Sequence, residues 1–238
     1  GGVNYFNPEY EIYTRYSYSS NEKKGLSNPV VGRTIEDKNG NLWIGTEGGG
    51  LNYYNRRTRE FKWYRPQEGR NSISHNNVKA LYYDADKEII WIGTHLGGLN
   101  KLDIRSGHFT HYRMEGNNPQ SLPSDIIRDI TPYKDLLIIA TQNGVCLFNP
   151  ANGQCRQLFK DSKEGKSIKM VADVVFDSEG TLWIAATGEG VFSYRFDTRK
   201  LTNYRHDAAN PNSLSNNNVN NITQDSKGNL WFSTSGSG

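Results

Sequence analysis

Cysteine, methionine and net charge are all scarce here: two Cys, two Met and a balance of only +3 across 238 residues. Cys146 and Cys155 are too few for a disulfide-built scaffold, and their spacing matches no metal-ligand set. They lie in VCLFNPANGQC, where a turn-rich segment points to a hairpin and brings both thiols close together on neighbouring strands. Free or half-buried thiols are expected there rather than a bridge, so cysteine usage assigns no compartment. Long apolar runs are missing too. None approaches the roughly 18 residues of a membrane helix, and the opening GGVNYF has no basic-then-apolar leader. The chain therefore reads as an excised piece whose targeting and anchoring segments lie elsewhere. Its 28 basic and 25 acidic residues are interspersed, which argues against a concentrated duplex-binding face, and no nucleic-acid partner is expected. The richest basic run, RRTRE at 56–60, reads as a solvated hairpin tip.

Glycine (24), tyrosine (14), asparagine and serine are plentiful, while hydrophobic residues make up 35%. That mixture favours short strands joined by polar turns over helices. It is also periodic. NLWIGTEGGGLN at 41–52 returns as IIWIGTHLGGLN at 89–100, and weaker copies follow. Aligned on this phrase, Trp43, Trp91, Ile138, Trp183 and Trp231 stand 48, 47, 45 and 48 residues apart. Most copies are preceded by an Asp-containing turn (EDKNGNLW, DADKEIIW, DSEGTLW, DSKGNLW), and all by an Asn/Ser-rich connection such as NPNSLSNNNV. An aromatic-containing segment such as EFKWYR or HFTHYR follows each glycine cluster.

One period thus reads as four short strands: VVGRTIED, LWIGT, GLNYYN and EFKWYR, with glycines bending the chain into the third. A four-stranded unit recurring at this interval is the signature of a propeller blade. The predicted fold is all-β, a β-propeller of four-stranded antiparallel blades in five units of about 47 residues, forming a closed ring or part of a larger one. In that fold the recurring indole fills the layer between blades. The chain opens on a third strand and ends on a second, so the half-blade at 1–20 is expected to pair with the half-blade at 216–238 in one domain spanning 1–238.

The phrase NPNSLSNNNVNNITQDSKGNLWFST, together with GTEGGGLNYYN and GHFTHYR, resembles the two-component regulator propeller repeat. That repeat builds the periplasmic sensor region of hybrid two-component systems in Bacteroides-type bacteria. The resemblance covers essentially the whole chain and weakens in the third unit, where the Trp and the Asp/Gly turn are lost. It implies a non-catalytic, periplasmic ligand-sensing propeller of an inner-membrane-anchored histidine kinase, with the anchor and the kinase outside this chain. The implied partners are an oligosaccharide or other small ligand, other propeller or immunoglobulin-like domains of the same protein, and a second copy in a homodimer. No cofactor is implied.

Propellers also carry glycoside hydrolases, polysaccharide lyases and purely structural interaction domains, so fold alone does not choose among these. A glycosidase needs two carboxylates in distinct environments. Here Asp37, Asp84, Asp177 and Asp225 recur at one turn position, which points to a repeated structural role. The five histidines are scattered, and His108 and His111 would face opposite sides of a strand. No catalytic or metal-binding residue is assigned. Ligand contacts are expected instead where otherwise matching units differ. One such column on the inner strand carries Arg33, Ala80, Asp129, Asp173 and Asn221, flanked by Lys79, Arg128 and Asn220. A second, just after the Trp strand, carries Glu47, His95, Gln142, Glu189 and Ser235. Tyr53, Trp63, Tyr82 and Tyr112 are candidate stacking rings for a pyranose.

Overall fold

A computed structural model describes residues 2–7, 9 and 12–236. Gly1, Pro8, Tyr10, Glu11, Ser237 and Gly238, which belong to the two expected half-blades, lie outside the described residues. The chain divides into two compact units, Gly1–Tyr112 and Arg113–Gly238.

In the first unit, β1 (Val3–Asn7) and β2 (Ile12–Tyr16) form a two-stranded antiparallel sheet. Two four-stranded sheets follow: β3 (Val31–Glu36) to β6 (Glu60–Tyr64) through β4 (Leu42–Thr46) and β5 (Gly50–Asn55), then β7 (Val78–Asp84) to β10 (Phe109–Tyr112) through β8 (Ile89–Thr94) and β9 (Leu99–Asp103). The second unit repeats the pattern. One sheet contains β11 (Ile127–Tyr133), β12 (Leu136–Thr141), β13 (Gly144–Asn149) and β14 (Gln154–Gln157). The next contains β15 (Val171–Phe176), β16 (Leu182–Ala186), β17 (Gly190–Tyr194) and β18 (Leu201–Tyr204). A two-stranded sheet of β19 (Val219–Gln224) and β20 (Leu230–Thr234) ends it. Every pairing is antiparallel between sequence neighbours, so each blade needs only tight turns. The expected four-strand unit is present with its boundaries in phase.

The layer between successive sheets explains the Trp period. Trp43 on β4 is 1% exposed and packs with Ile73, Val78, Leu81 and Phe109, which belong to the following blade and its connection. Trp91 is equally buried, and Ile138 fills its position in the third repeat with no exposure. Trp231 departs from the rule at 64% exposed. Its sheet has two strands among the described residues.

Two side-chain latches repeat with the blades. The Thr46 hydroxyl donates to the Gly50 carbonyl at 2.8 Å, and Thr94 to Gly98 at 2.9 Å, closing the turn into the third strand. Asn52, fully buried, accepts from the Ser27 backbone N–H and donates to its hydroxyl; Asn100 does the same with Ser74. The N of GLN and the S of the Asn/Ser-rich connection are therefore partners, and the buried amide is satisfied where it would otherwise be costly.

The third repeat replaces this latch. Cys146 stands where Asn52 and Asn100 stand on their strands, and Cys155 stands where Phe61 and Phe109 stand on theirs. The expectation of free thiols is corrected: Cys146 and Cys155 form a disulfide with Cα atoms 5.8 Å apart. Cys146 faces Gln157 and Cys155 faces Phe148 in the register, so the two are diagonal neighbours on one face, within bridging reach.

Backbone geometry accounts for the glycines at the start of the third strand. Gly190 has φ +79°, and an added Cβ would lie 2.2 Å from the Tyr204 carbonyl oxygen. Gly190→Ala is expected to destabilise the protein by about 2–4 kcal/mol, measured by urea unfolding with an unchanged m-value. Paired Cys146→Ser and Cys155→Ser changes are expected to cost at most about 3 kcal/mol, the loop-closure value for so short a ring. Unfolding midpoints with and without reductant check this, and the double variant should respond to neither.

Candidate functional site

The recurring turn carboxylates are fully committed. Asp177 accepts from the backbone N–H groups of Glu179 and Thr181 and, at 2.7 Å, from the indole Nε1 of Trp183. Asp37 holds Asn39, Asn41 and Trp43 in the same way, and Asp225 holds Lys227, Asn229 and Trp231. Asp84, whose turn lacks the glycine, accepts from the backbone and ammonium of Lys87. The structural role expected of these residues is present. The sequence reading missed its second half, the clamp on the indole, which the fixed six-residue Asp–Trp spacing in three repeats signals. The bond from the Trp231 indole, followed by the bond from the Asn229 side chain, lowers the carboxyl of Asp225 to about 2.

The inner-strand column sits beside a β-bulge in every repeat, with register shifts next to Thr34, Ala80, Asp129, Asp173 and Asn221. A bulge re-aims the residue after it, and the consequence differs by residue type. Arg33 is exposed and Ala80 buried. Asp129 and Asp173 are buried, and each points at the following sheet. Asp129 accepts from the Val174 N–H at 3.4 Å. Asp173 accepts from the Ile222 N–H at 2.7 Å and from the Asn221 amide at 3.0 Å. The structure therefore brings Asp173 and Asn221 together as a strap between neighbouring sheets. The Arg128 Nε is buried with no hydrogen-bond partner among the described residues.

In the second column, Glu47 forms an ion pair with Lys79, so these two candidates also meet. His95 is half-buried and bonded through its backbone N–H to the Asn77 carbonyl at 2.9 Å. The main chain of Gln142 bridges Ile126 and Met170. Ser235 bonds to Asn220. Glu189 forms an ion pair with Arg205. The candidate rings mostly cover core: burial raises the phenols of Tyr53, Tyr82 and Tyr112, and the Trp63 indole donates to the Gly25 carbonyl at 2.8 Å.

Glu189 leads to a cavity that the sequence reading did not single out. Its partner Arg205 lines a hollow of about 410 Å³ together with Trp183, Tyr204, Phe232, Asn210 and Asn212. Trp183 lies 5.6 Å from Tyr204 and 5.9 Å from Phe232, ring to ring, and forms the apolar wall. The polar wall is a braced loop. The His206 N–H donates to the Asn217 side chain, the His206 ring meets the Leu214 carbonyl at 2.7 Å, and Ser213 exchanges hydrogen bonds with Asp207. In the first unit Phe109 lies 5.9 Å from Tyr64, over the corresponding rings; among the described residues no fourth-strand residue covers Tyr204, which is 44% exposed.

Such a cavity, with stacked rings on one side and amide and guanidinium groups on the other, suits a polyhydroxylated ligand better than an apolar one. It presents no pair of unengaged carboxylates for general acid–base chemistry.

The fold is a β-propeller of four-stranded antiparallel blades. Residues 25–48, 72–95 and 213–236 match the family model described as "Two component regulator propeller". The chain is similar in structure to the extracellular domain of a putative hybrid two component system from B. thetaiotaomicron, with TM-score 0.72, 23% identity and coverage of 100% of this chain and 36% of that one. A second such extracellular domain from the same organism gives TM-score 0.75 and 22% identity over 98% of this chain and 29% of that one. The chain thus spans about a third of the length of these structures. A catalytically inactive virginiamycin B lyase from Staphylococcus aureus shares the fold at TM-score 0.68 and 13% identity, with coverage of 97% and 70%. A comparison with curated proteins gives no match.

The Asp–indole clamp yields a pH signature. Because the folded carboxyl of Asp225 lies below its ordinary value of 3.8, its contribution is complete above that value and is lost as pH falls toward about 2. Melting temperatures between pH 2 and 6 should show Asp225→Asn lowering the neutral plateau and flattening the acid limb, so that the two proteins converge as pH falls toward 2.

Proposed function

We propose that this chain is a non-catalytic, periplasmic ligand-sensing propeller of a hybrid two-component sensor histidine kinase, and that an oligosaccharide is the ligand it answers to. The observation that carries the reading is the match of three blades to the regulator propeller repeat. The neighbours described as extracellular domains of hybrid two component systems support the same assignment. The Cys146–Cys155 bridge fits an oxidising compartment.

The cavity beside Trp183 is the preferred ligand site. A pyranose ring would stack on Tyr204 and Phe232, with hydroxyls bonded to Arg205, Asn210 and Asn212. Arg205 is held ready by Glu189, so little side-chain ordering accompanies binding. Of the residues chosen from sequence, Glu189 is the one tied to this cavity. Arg33, Lys79, Glu47 and His95 in the first unit, and Arg128 and Gln142 in the second, would act at surfaces meeting other propeller or immunoglobulin-like domains, or a second copy of the chain. Ligand then acts by population shift, favouring one arrangement of those domains over another, with the bias passed to the kinase.

Calorimetric titration with a panel of oligosaccharides tests the reading. Binding without release of shorter products is expected, and Tyr204→Ala should weaken it about tenfold, equivalent to ~1.4 kcal/mol. Steady cleavage of the oligosaccharide would instead identify a glycan-degrading enzyme, and absence of binding to every saccharide would leave a scaffold role.

A further inference from the structure

From the last two residues of β14 into the connection to β15 the chain runs RQLFKDSKEGKSIK, residues 156–169, with five basic and two acidic residues. Its balance of +3 equals that of the whole chain, so the other 224 positions sum to zero. This concentration is held by a built loop. Phe159 and Met170 turn the backbone at its ends with φ of +64° and +46°. Phe159 packs edge-on against Tyr194 at 4.7 Å, and Ile168 is buried in the adjoining core. Ser162 accepts from the Gly165 N–H at 2.9 Å and donates to the Phe159 carbonyl.

Two adjoining hollows open on this loop. One, of about 270 Å³, is lined by Lys160, Lys166, Lys169, Asn143 and Gln157 over a floor that includes Ile168. The other, of about 450 Å³, shares Lys160 and Gln157 and adds Arg156, Gln154, Gln120 and Asp161. Gln154 donates to Gln120 at 3.0 Å, and Gln157 donates to the Asn143 carbonyl at 2.7 Å, which fixes the direction of three amides. Elsewhere several basic side chains have an acidic partner, as in Lys38–Glu88, Arg56–Glu36, Lys79–Glu47 and Arg113–Asp125. Lys160, Lys166 and Lys169 have no ion-pair partner among the described residues.

We infer that this groove is a second binding site, selective for an anionic oligosaccharide bearing carboxylate or sulfate groups. The lysines would meet the acidic groups, and the oriented amides would meet the sugar hydroxyls. No aromatic ring lines either hollow, so a single-stranded nucleic acid would find charge but no stacking platform. The inference rests on the sensor reading for the class of ligand and extends it to a charge requirement and a separate site.

The test titrates a galacturonate tetrasaccharide, a sulfated oligosaccharide and a neutral oligosaccharide of equal length into the protein by calorimetry. The partners are the native chain, the triple variant Lys160→Gln/Lys166→Gln/Lys169→Gln, and Lys163→Gln, a loop lysine outside both hollows. Thermal melts confirm that each variant is folded. At least one anionic saccharide should bind, with affinity falling as salt rises. The triple variant should lose about thirtyfold or more, as expected for several charge-assisted contacts, with Lys163→Gln within twofold of native. Equal binding of anionic ligand by the triple variant overturns the inference. So does equally tight binding of inorganic sulfate or of a single-stranded oligonucleotide. Binding of the neutral saccharide alone overturns it while leaving the sensor reading intact, and silence from every saccharide overturns both.

Discussion

The fold depends on a large apolar side chain of the second strand packed against its neighbours, as Trp43 in the first unit illustrates. Two forces fix that ring. Burial of the indole face supplies most of the free energy, as Trp43 against Phe109, Ile73 and Leu81 illustrates. The turn carboxylate six residues upstream satisfies the one polar atom that burial would strand, the indole N–H. A Trp without the Asp would bury an unpaired donor, and the Asp without the Trp would be an ordinary turn residue. Together they fix the ring to its own turn.

Departures from this arrangement are where the molecule gains individual features. In the third repeat the indole is replaced by Ile138, the buried Asn–Ser latch by Cys146, and the fourth-strand ring by Cys155. Covalent closure compensates there for a thinner aromatic layer. At the last sheet the ring is present and clamped, yet Trp231 stands in solvent, and a cavity lies beside Trp183.

The charge distribution follows a similar logic. Some ion pairs are local, as in Lys87–Asp84 and Arg195–Asp197. The connection after β14 is not part of the repeated scaffold, and it carries surplus positive charge on a pinned loop. A propeller can tolerate such a loop because its blades do not depend on the connection for their core contacts, apart from Ile168, Leu158 and Phe159.

The sequence by itself determined the blade. The period of the Trp phrase, the Asp/Gly turn and the alternation of short strands are local or nearest-neighbour properties, and they were legible as such; the structural duty of Asp37, Asp177 and Asp225 could be inferred from recurrence alone. Variation between repeats was a weaker guide to the site. Asp129 and Asp173 differ from Arg33 and Ala80, yet their difference serves the backbone of the following sheet, because the adjacent bulge turns them inward. The thiol pairing depended on a two-residue diagonal in the strand register, the cavity on the rings and loop that meet beside Trp183, and the basic groove on three lysines of one loop sharing a floor. Each is set by how separate segments of the chain meet. Only the tertiary structure decides those, because a periodic sequence specifies what every blade has in common and leaves unstated where one blade differs from the next.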